Sequence, residues 1–154
     1  MRGICTAVIL AIVFGTGLAV GTQTPKSPEG LLMKSAVFLW DATPPRPTDK
    51  GAVRSVFRAP TVTLDELEYH ITTLNPNQSP HPPHTHVNEE VIIVKEGAIE
   101  AYVNGVWTPM TTGSLVFFAS NVPHTVRNVG AVPATYHVVN YKAPGAAQKT
   151  AGAQ

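Results

Sequence analysis

The sequence predicts an all-β domain, and three observations support this fold class. The chain has 154 residues, which suffices for one domain with a sizeable hydrophobic core. Turn formers are frequent, with 14 Pro and 12 Gly, while charged residues make up only 14%. The apolar runs between the turns are short and rich in Val, Ile, Thr and aromatic residues. Many short strands at close spacing indicate a sandwich or a small barrel.

The expected strands follow from these runs and from the alternation of apolar and polar residues. Asn104-Gly105 between two such runs is the strongest hairpin signal in the chain. The Pro-rich segment 41–50 predicts a linker that cannot join a central sheet. In order, the predicted strands cover 36–40, 54–57, 62–64, 67–74, 90–95, 99–103, 106–109, 114–118, 124–128 and 135–141.

The N-terminal residues are typical of a secretory signal peptide. Arg2 supplies a positive charge, 4–14 are apolar, and a small-x-small pattern precedes a cleavage site after Gly21. A retained N-terminal anchor is the alternative. The prediction is therefore an exported protein, periplasmic or secreted, with no membrane association after cleavage. Cys5, the only cysteine, lies in this segment, so the mature chain would lack thiolate metal sites and cysteine nucleophiles.

The remaining chain divides into three predicted parts. Residues 22–66 form an N-terminal arm and the first strands, 67–142 the barrel, and 143–154 a small, polar, disordered tail. The net charge of +1 gives no reason to expect a nucleic-acid partner.

The segment HPPHTHVNEEVIIVKEG, 81–97, holds three of the six histidines. Residues i and i+2 of a strand share a face, so His84 and His86 project together. A turn over 87–89 would aim Glu90 at the same point, and His124 is available downstream. Two imidazoles and a carboxylate suit a divalent transition metal.

These residues resemble the two motifs of the cupin superfamily. The first motif, His-x-His, three residues, Glu, six residues, Gly, matches His84, His86, Glu90 and Gly97. The second matches in spacing at Gly113, His124 and Asn128, although Ala119 and Asn121 replace its proline and glycine. Asn is the next-best residue at positive φ, so the turn should survive. The resemblance covers about 67–141 and is nearest to small single-domain "cupin 2" proteins.

The resemblance implies a small antiparallel β-barrel of the cupin or jelly-roll type with one divalent metal ion. The metal could be Mn, Fe, Ni, Zn or Cu, and the implied ligands are His84, His86, Glu90 and His124. Related proteins include oxygenases, isomerases and decarboxylases that act on small organic molecules. The alternative is a non-catalytic module of the cell envelope that binds a small molecule or a metal. Some family members lose ligands and work as binding modules or structural proteins, so a barrel with an empty or decayed site is a further alternative.

An enzyme needs a positioned acid or base in addition to the metal. The catalytic candidates are His81, in the loop before the ligands, and Glu68 and His70, which share a face of one strand. The alternatives are that His81 is a solvated loop residue and that Glu68 and His70 form a pair on the surface. His137 and Tyr141 share a face of the last strand and could line the cavity. Glu89 should point away from Glu90 in a regular strand.

A homodimer is the expected assembly. Small open barrels have edges and apolar outer strands that need cover. The predicted strand 36–40 could add to the sheet of a partner, and a segment packed on its own chain is the alternative.

Overall fold

The computed structural model describes residues 32–147 as nine β-strands in two antiparallel sheets. The predicted signal peptide, 1–21, and residues 148–154 of the predicted tail lie outside the described residues. The six-stranded sheet has the order β1-β2-β3-β9-β4-β7, and the three-stranded sheet has the order β6-β5-β8. The strands are β1 (Arg46–Thr48), β2 (Gly51–Ala59), β3 (Glu66–Leu74), β4 (Glu89–Glu96), β5 (Ala98–Val103), β6 (Val106–Thr111), β7 (Leu115–Phe118), β8 (Thr125–Asn128) and β9 (Ala134–Lys142).

The hydrophobic core lies between the two sheets. Both sheets contribute alternate residues, as the period of two in a half-buried strand requires. The largest side chains in it are Tyr136 and Phe118, each 2% exposed. Apolar residues buried with them include Leu74, Ile92, Val94, Ile99, Ala101, Met110, Val126, Ala134 and Val138. The all-β prediction and the jelly-roll architecture are therefore confirmed.

The predicted turns have the backbone conformations that their residues favour. Asn104 and Gly105, both at positive φ, join β5 to β6 as predicted. Asn121 adopts φ 59°, so asparagine does replace glycine in the second motif. Among the described residues, no helix is long and apolar enough to cross a membrane.

Two strand predictions in the N-terminal part were wrong. Residues 36–40 are not in a strand, and a short 3₁₀-helix, Trp40–Ala42, begins at the last of them. Residues 62–64 form a bend rather than a strand. Apolar composition over so few residues does not separate a strand from an irregular segment that packs on a sheet.

The N-terminal segment packs on the outer face of its own six-stranded sheet. The Phe38 ring contacts Phe57 of β2 at 5.0 Å between centroids. The Arg54 guanidinium lies 3.7 Å from the centre of the Trp40 ring and donates hydrogen bonds to the backbone oxygens of Trp40 and Thr43. These contacts belong to the sequence range predicted as arm and first strands, and they join it to the barrel. β1 forms the sheet edge, which is where a strand containing Pro is tolerated.

Candidate metal centre

A short antiparallel pairing between two loops brings the histidines together. His84 and His124 exchange both backbone hydrogen bonds, at 3.2 and 3.0 Å, and Asn121 N donates to His86 O at 2.8 Å. The segment before β4 is thereby fixed against the segment before β8. As a result, one nitrogen from each of His84, His86 and His124 lies within 4.8 Å of the others.

Hydrogen bonds fix the tautomers of two of these rings. His124 Nδ1 lies 2.7 Å from Val122 O, and His86 Nδ1 lies 2.9 Å from Asn88 O. A backbone carbonyl can only accept, so each Nδ1 donates and each Nε2 carries the lone pair. The two Nε2 atoms are 3.2 Å apart. His124 is held further by Phe118, whose ring stacks on it at 4.5 Å.

His84 is held in its neutral form by its surroundings. Burial, reinforced by the neighbouring His81, His124 and His86, lowers the pKa of His84 to about 4. Its Nδ1 is buried and has no hydrogen-bond partner. A neutral imidazole with an unused nitrogen is the form of histidine that binds metals.

Among the described residues, the potential ligand atoms within 4.8 Å of one another belong to the three histidines, and Glu90 places a carboxylate oxygen near one of them, His86. Glu90 is 9% exposed, and its Oε2 lies 3.7 Å from His86 Nε2. A buried carboxylate needs a positive partner or several donors. Nitrogen lone pairs from three imidazoles and one carboxylate oxygen form a donor set that suits divalent transition metals. The residues present therefore fit a metal ion.

The centre opens into a cavity of about 290 Å³. His70 and His81 line this cavity with the candidate ligands, and the His81 and His84 rings are 4.0 Å apart. Glu68 does not line it but stands behind His70, with Oε1 3.2 Å from His70 Nδ1. The apolar wall consists of Ile92, Val126 and Val138.

The prediction that His137 and Tyr141 line the cavity was wrong, because the opposite face of β9 lies against the cavity. Val138 and Asn140 of β9 line it instead. His137 lies on the outer face, where its Nδ1 is 2.6 Å from Tyr69 Oη. Alternation in β9 places Asn140 on the core side with Tyr136 and Val138, and this signal could have identified Asn140 from the sequence.

The orientation of the neighbouring glutamates agrees with the regular strand that was expected. Glu90 faces the cavity, whereas Glu89 pairs with Tyr141 on the opposite face of the sheet. The Glu89 carboxylate, together with burial, raises the pKa of the Tyr141 hydroxyl.

Two antiparallel sheets enclosing a histidine-lined cavity make this a jelly-roll barrel with a candidate metal site. Residues 70–140 match the family model described as Cupin_2, the cupin domain. The family model therefore identifies a cupin domain over these residues, which make up slightly less than half of the chain. No curated protein matches the sequence significantly.

Solved cupin structures share the fold at low sequence identity. An RmlC-like cupin from Shewanella frigidimarina is 18% identical, with a TM-score of 0.58 over 71% of this chain and 94% of that chain. A sugar phosphate isomerase of the cupin superfamily from Silicibacter pomeroyi is 20% identical, with a TM-score of 0.56 over 71% and 77%. A predicted oxalate decarboxylase from Thermotoga maritima is 19% identical, with a TM-score of 0.56 over 70% and 99%. These similarities support the fold and not a particular reaction.

Proposed function

We propose that this protein is a metal-dependent enzyme that acts on a small organic molecule in the barrel cavity. His84, His86, His124 and Glu90 would hold one divalent transition ion. When bound, the ion would polarise a substrate oxygen as a Lewis acid or, if it is iron, support oxygen chemistry. Oxygenase, isomerase and decarboxylase reactions are all compatible with such a site.

The observation that favours an enzyme is the presence of two further histidines in the same cavity, His70 and His81. A pure binding module needs no proton donor or acceptor beside its metal, whereas most of these reactions move a proton. His70 is the stronger candidate for the acid or base. It is less exposed than His81, and the Glu68 carboxylate lies 3.2 Å from its Nδ1, although this contact lacks the geometry of a hydrogen bond.

His81 would act at the mouth of the cavity. His81 is exposed to solvent, and its ring contacts the ring of His84. A proton exchanged at His70 could pass to solvent by way of His81, since the two line the same cavity.

The first test is metal content. The mature wild-type protein and the His84→Ala variant would be purified from their exported location and measured by elemental analysis. Near-stoichiometric metal in the wild type and its loss in the variant support the proposed centre. An absence of metal from both would remove the basis for an enzyme.

The second test separates an enzyme from a binding module. Wild type and His70→Gln would be loaded with the native metal and incubated with a metabolite extract, and substrate loss would be followed by mass spectrometry. An enzyme consumes a compound, and the variant binds that compound without consuming it. A compound that the wild type binds and returns unchanged would support the module.

We also propose export and self-association. The signal-like segment 1–21 supports export, which intact-mass determination of the secreted chain would test. An exported chain acquires its metal outside the cytoplasm, where the affinity order favours copper and zinc.

The outer sheet face supports a homodimer, because Ile93, Leu115 and Phe117 are exposed there. Sedimentation of wild type and Phe117→Ser, with Thr112→Ser as control, tests the dimer.

A further inference from the structure

Asn140 is a polar residue that lines the cavity and is not one of the proposed metal ligands. It is 8% exposed, lines the cavity, and its Oδ1 is buried without a hydrogen-bond partner. A buried acceptor without a donor costs free energy, so such groups are normally paired. The unpaired amide oxygen therefore indicates that a donor enters from the cavity.

The register of the sheet places this acceptor next to the proposed metal. Asn140 is the cross-strand partner of Glu90 on one side and of Glu68 on the other. Directly opposed residues in antiparallel strands have Cβ atoms about 5 Å apart. A donor that reaches Asn140 must therefore lie close to the group that binds the metal beside Glu90.

Within residues 32–147, the side chains that line the cavity offer no fixed positive charge. The residues that line it include no Lys or Arg. Lys50 adjoins the cavity but donates to Pro80 O at 2.9 Å, and Arg58 donates to Glu66 Oε2 at 2.9 Å. Glu90 is negative within the cavity, so a divalent ion would leave a net charge of only about +1 there.

These features do not suit a substrate with two negative charges. Proteins hold phosphate esters with Arg or Lys forks, or with helix N-termini. A dianion brought into this cavity would leave at least one charge uncompensated in a partly apolar space formed by Ile92, Val126 and Val138. A molecule with at most one negative charge meets no such cost, because it adds no excess negative charge to the cavity.

We infer that the cavity selects small molecules that carry at most one negative charge and a hydroxyl next to their metal-binding oxygen, and that Asn140 accepts a hydrogen bond from that hydroxyl. Vicinal diols and hydroxyketones have this arrangement. Their apolar body would pack against Ile92, Val126 and Val138. The inference rests on the proposed metal centre and adds the substrate class to it.

The test uses the mature protein loaded with zinc, because zinc does not oxidise the probes. Zinc affinity of wild type and variants is measured first by calorimetry. Failure to bind zinc would count against the proposed metal centre itself. Once zinc binding is established, binding of catechol, phenol and phenyl phosphate is measured at pH 7. Catechol is uncharged and has two adjacent hydroxyls, and phenol has only one hydroxyl. Phenyl phosphate is negatively charged and tests the charge argument.

Catechol should bind about five- to tenfold more tightly than either of the other probes, the factor expected for one net hydrogen bond. Asn140→Leu should weaken catechol binding by about tenfold and leave zinc affinity unchanged, because the substitution removes one acceptor. Asn140→Ala, which also removes the acceptor, is the second variant if the leucine variant does not fold. His81→Arg, at the exposed mouth, should raise the affinity for phenyl phosphate.

Three results would overturn the inference while zinc still binds. Phenyl phosphate could bind wild type as tightly as catechol, catechol could fail to bind at all, or catechol could bind the Asn140 variants as well as it binds wild type. The first contradicts the charge argument and the last contradicts the role of Asn140.

Discussion

Gly97, the last residue of the first motif, is held by two separate constraints. Its φ is +79°, in the left-handed region that disfavours residues with a Cβ. A Cβ built on it would lie 3.0 Å from both Cα and Cβ of Ala134 and 3.1 Å from Pro133 O. Backbone atoms provide two of these contacts, so they cannot be relieved by rotating a side chain. Gly97→Ala should therefore strain the backbone and also push β9 away from the β4–β5 turn.

The expected loss of stability is the sum of the two effects. The left-handed conformation costs a residue such as Ala about 1 kcal/mol. Overpacking against fixed neighbours costs roughly 1–3 kcal/mol. The free energy of unfolding of Gly97→Ala should therefore fall by about 2–4 kcal/mol, measured by urea denaturation with tryptophan fluorescence.

Gly113 provides a matched control for this prediction. Its φ of +85° is close to that of Gly97, but nothing lies within 4 Å of the Cβ position. Gly113→Ala should pay only the conformational cost, about 1 kcal/mol. Equal losses in the two variants would refute the argument that the approach of Ala134 determines the glycine at 97.

Three further predictions concern the second motif, pH and the N-terminal segment. Asn128→Ala should lower the free energy of unfolding by about 2–4 kcal/mol, because the buried amide donates to Leu74 O and Val132 O and accepts from Gly130 N; the exposed Thr112→Ala should change it little in the same urea assay. In the presence of a chelator, the free energy of unfolding should fall from pH 7 to pH 5, because His84 in the unfolded chain takes up a proton near pH 6.5, whereas its pKa in the folded protein is about 4. His84→Gln should flatten this fall, and an unchanged slope would contradict the burial of His84. Trp40→Ala should cost about 1 kcal/mol by removing the ring that Arg54 and Lys95 contact; Val37→Ala, which changes a residue 85% exposed, should cost nothing measurable by thermal unfolding.

The central part of the fold was predictable because its local signals agree with one another. The strands from β3 to β9 match the predicted segments to within a residue or two, since alternation, β-branched residues and turn formers all coincide there. The three histidines were predictable for the same reason. The His-x-His spacing predicted that His84 and His86 project together, and the second motif predicted that His124 joins them.

The remaining errors have physical causes. The N-terminal segment contacts the outer face of the sheet through Phe38 and Trp40, and these contacts require no strand hydrogen bonds. The cavity face of β9 was misassigned because His137 and Asn140 are both polar and lie on opposite faces. Composition cannot select between the two faces, whereas the buried neighbours Tyr136 and Val138 do.

Two motif residues that offer no candidate ligand, Gly97 and Asn128, act on one place in the fold. Gly97 permits the close approach of Ala134, the first residue of β9. Asn128 binds Val132 O, just before β9, and Leu74 O at the end of β3, where Leu74 pairs with Ala134. Both residues therefore fix the β3–β9 junction, and the register set there carries His70, Val138 and Asn140 into the cavity. The motifs thus hold the candidate metal ligands and also align the strands that form the opposite wall of the cavity.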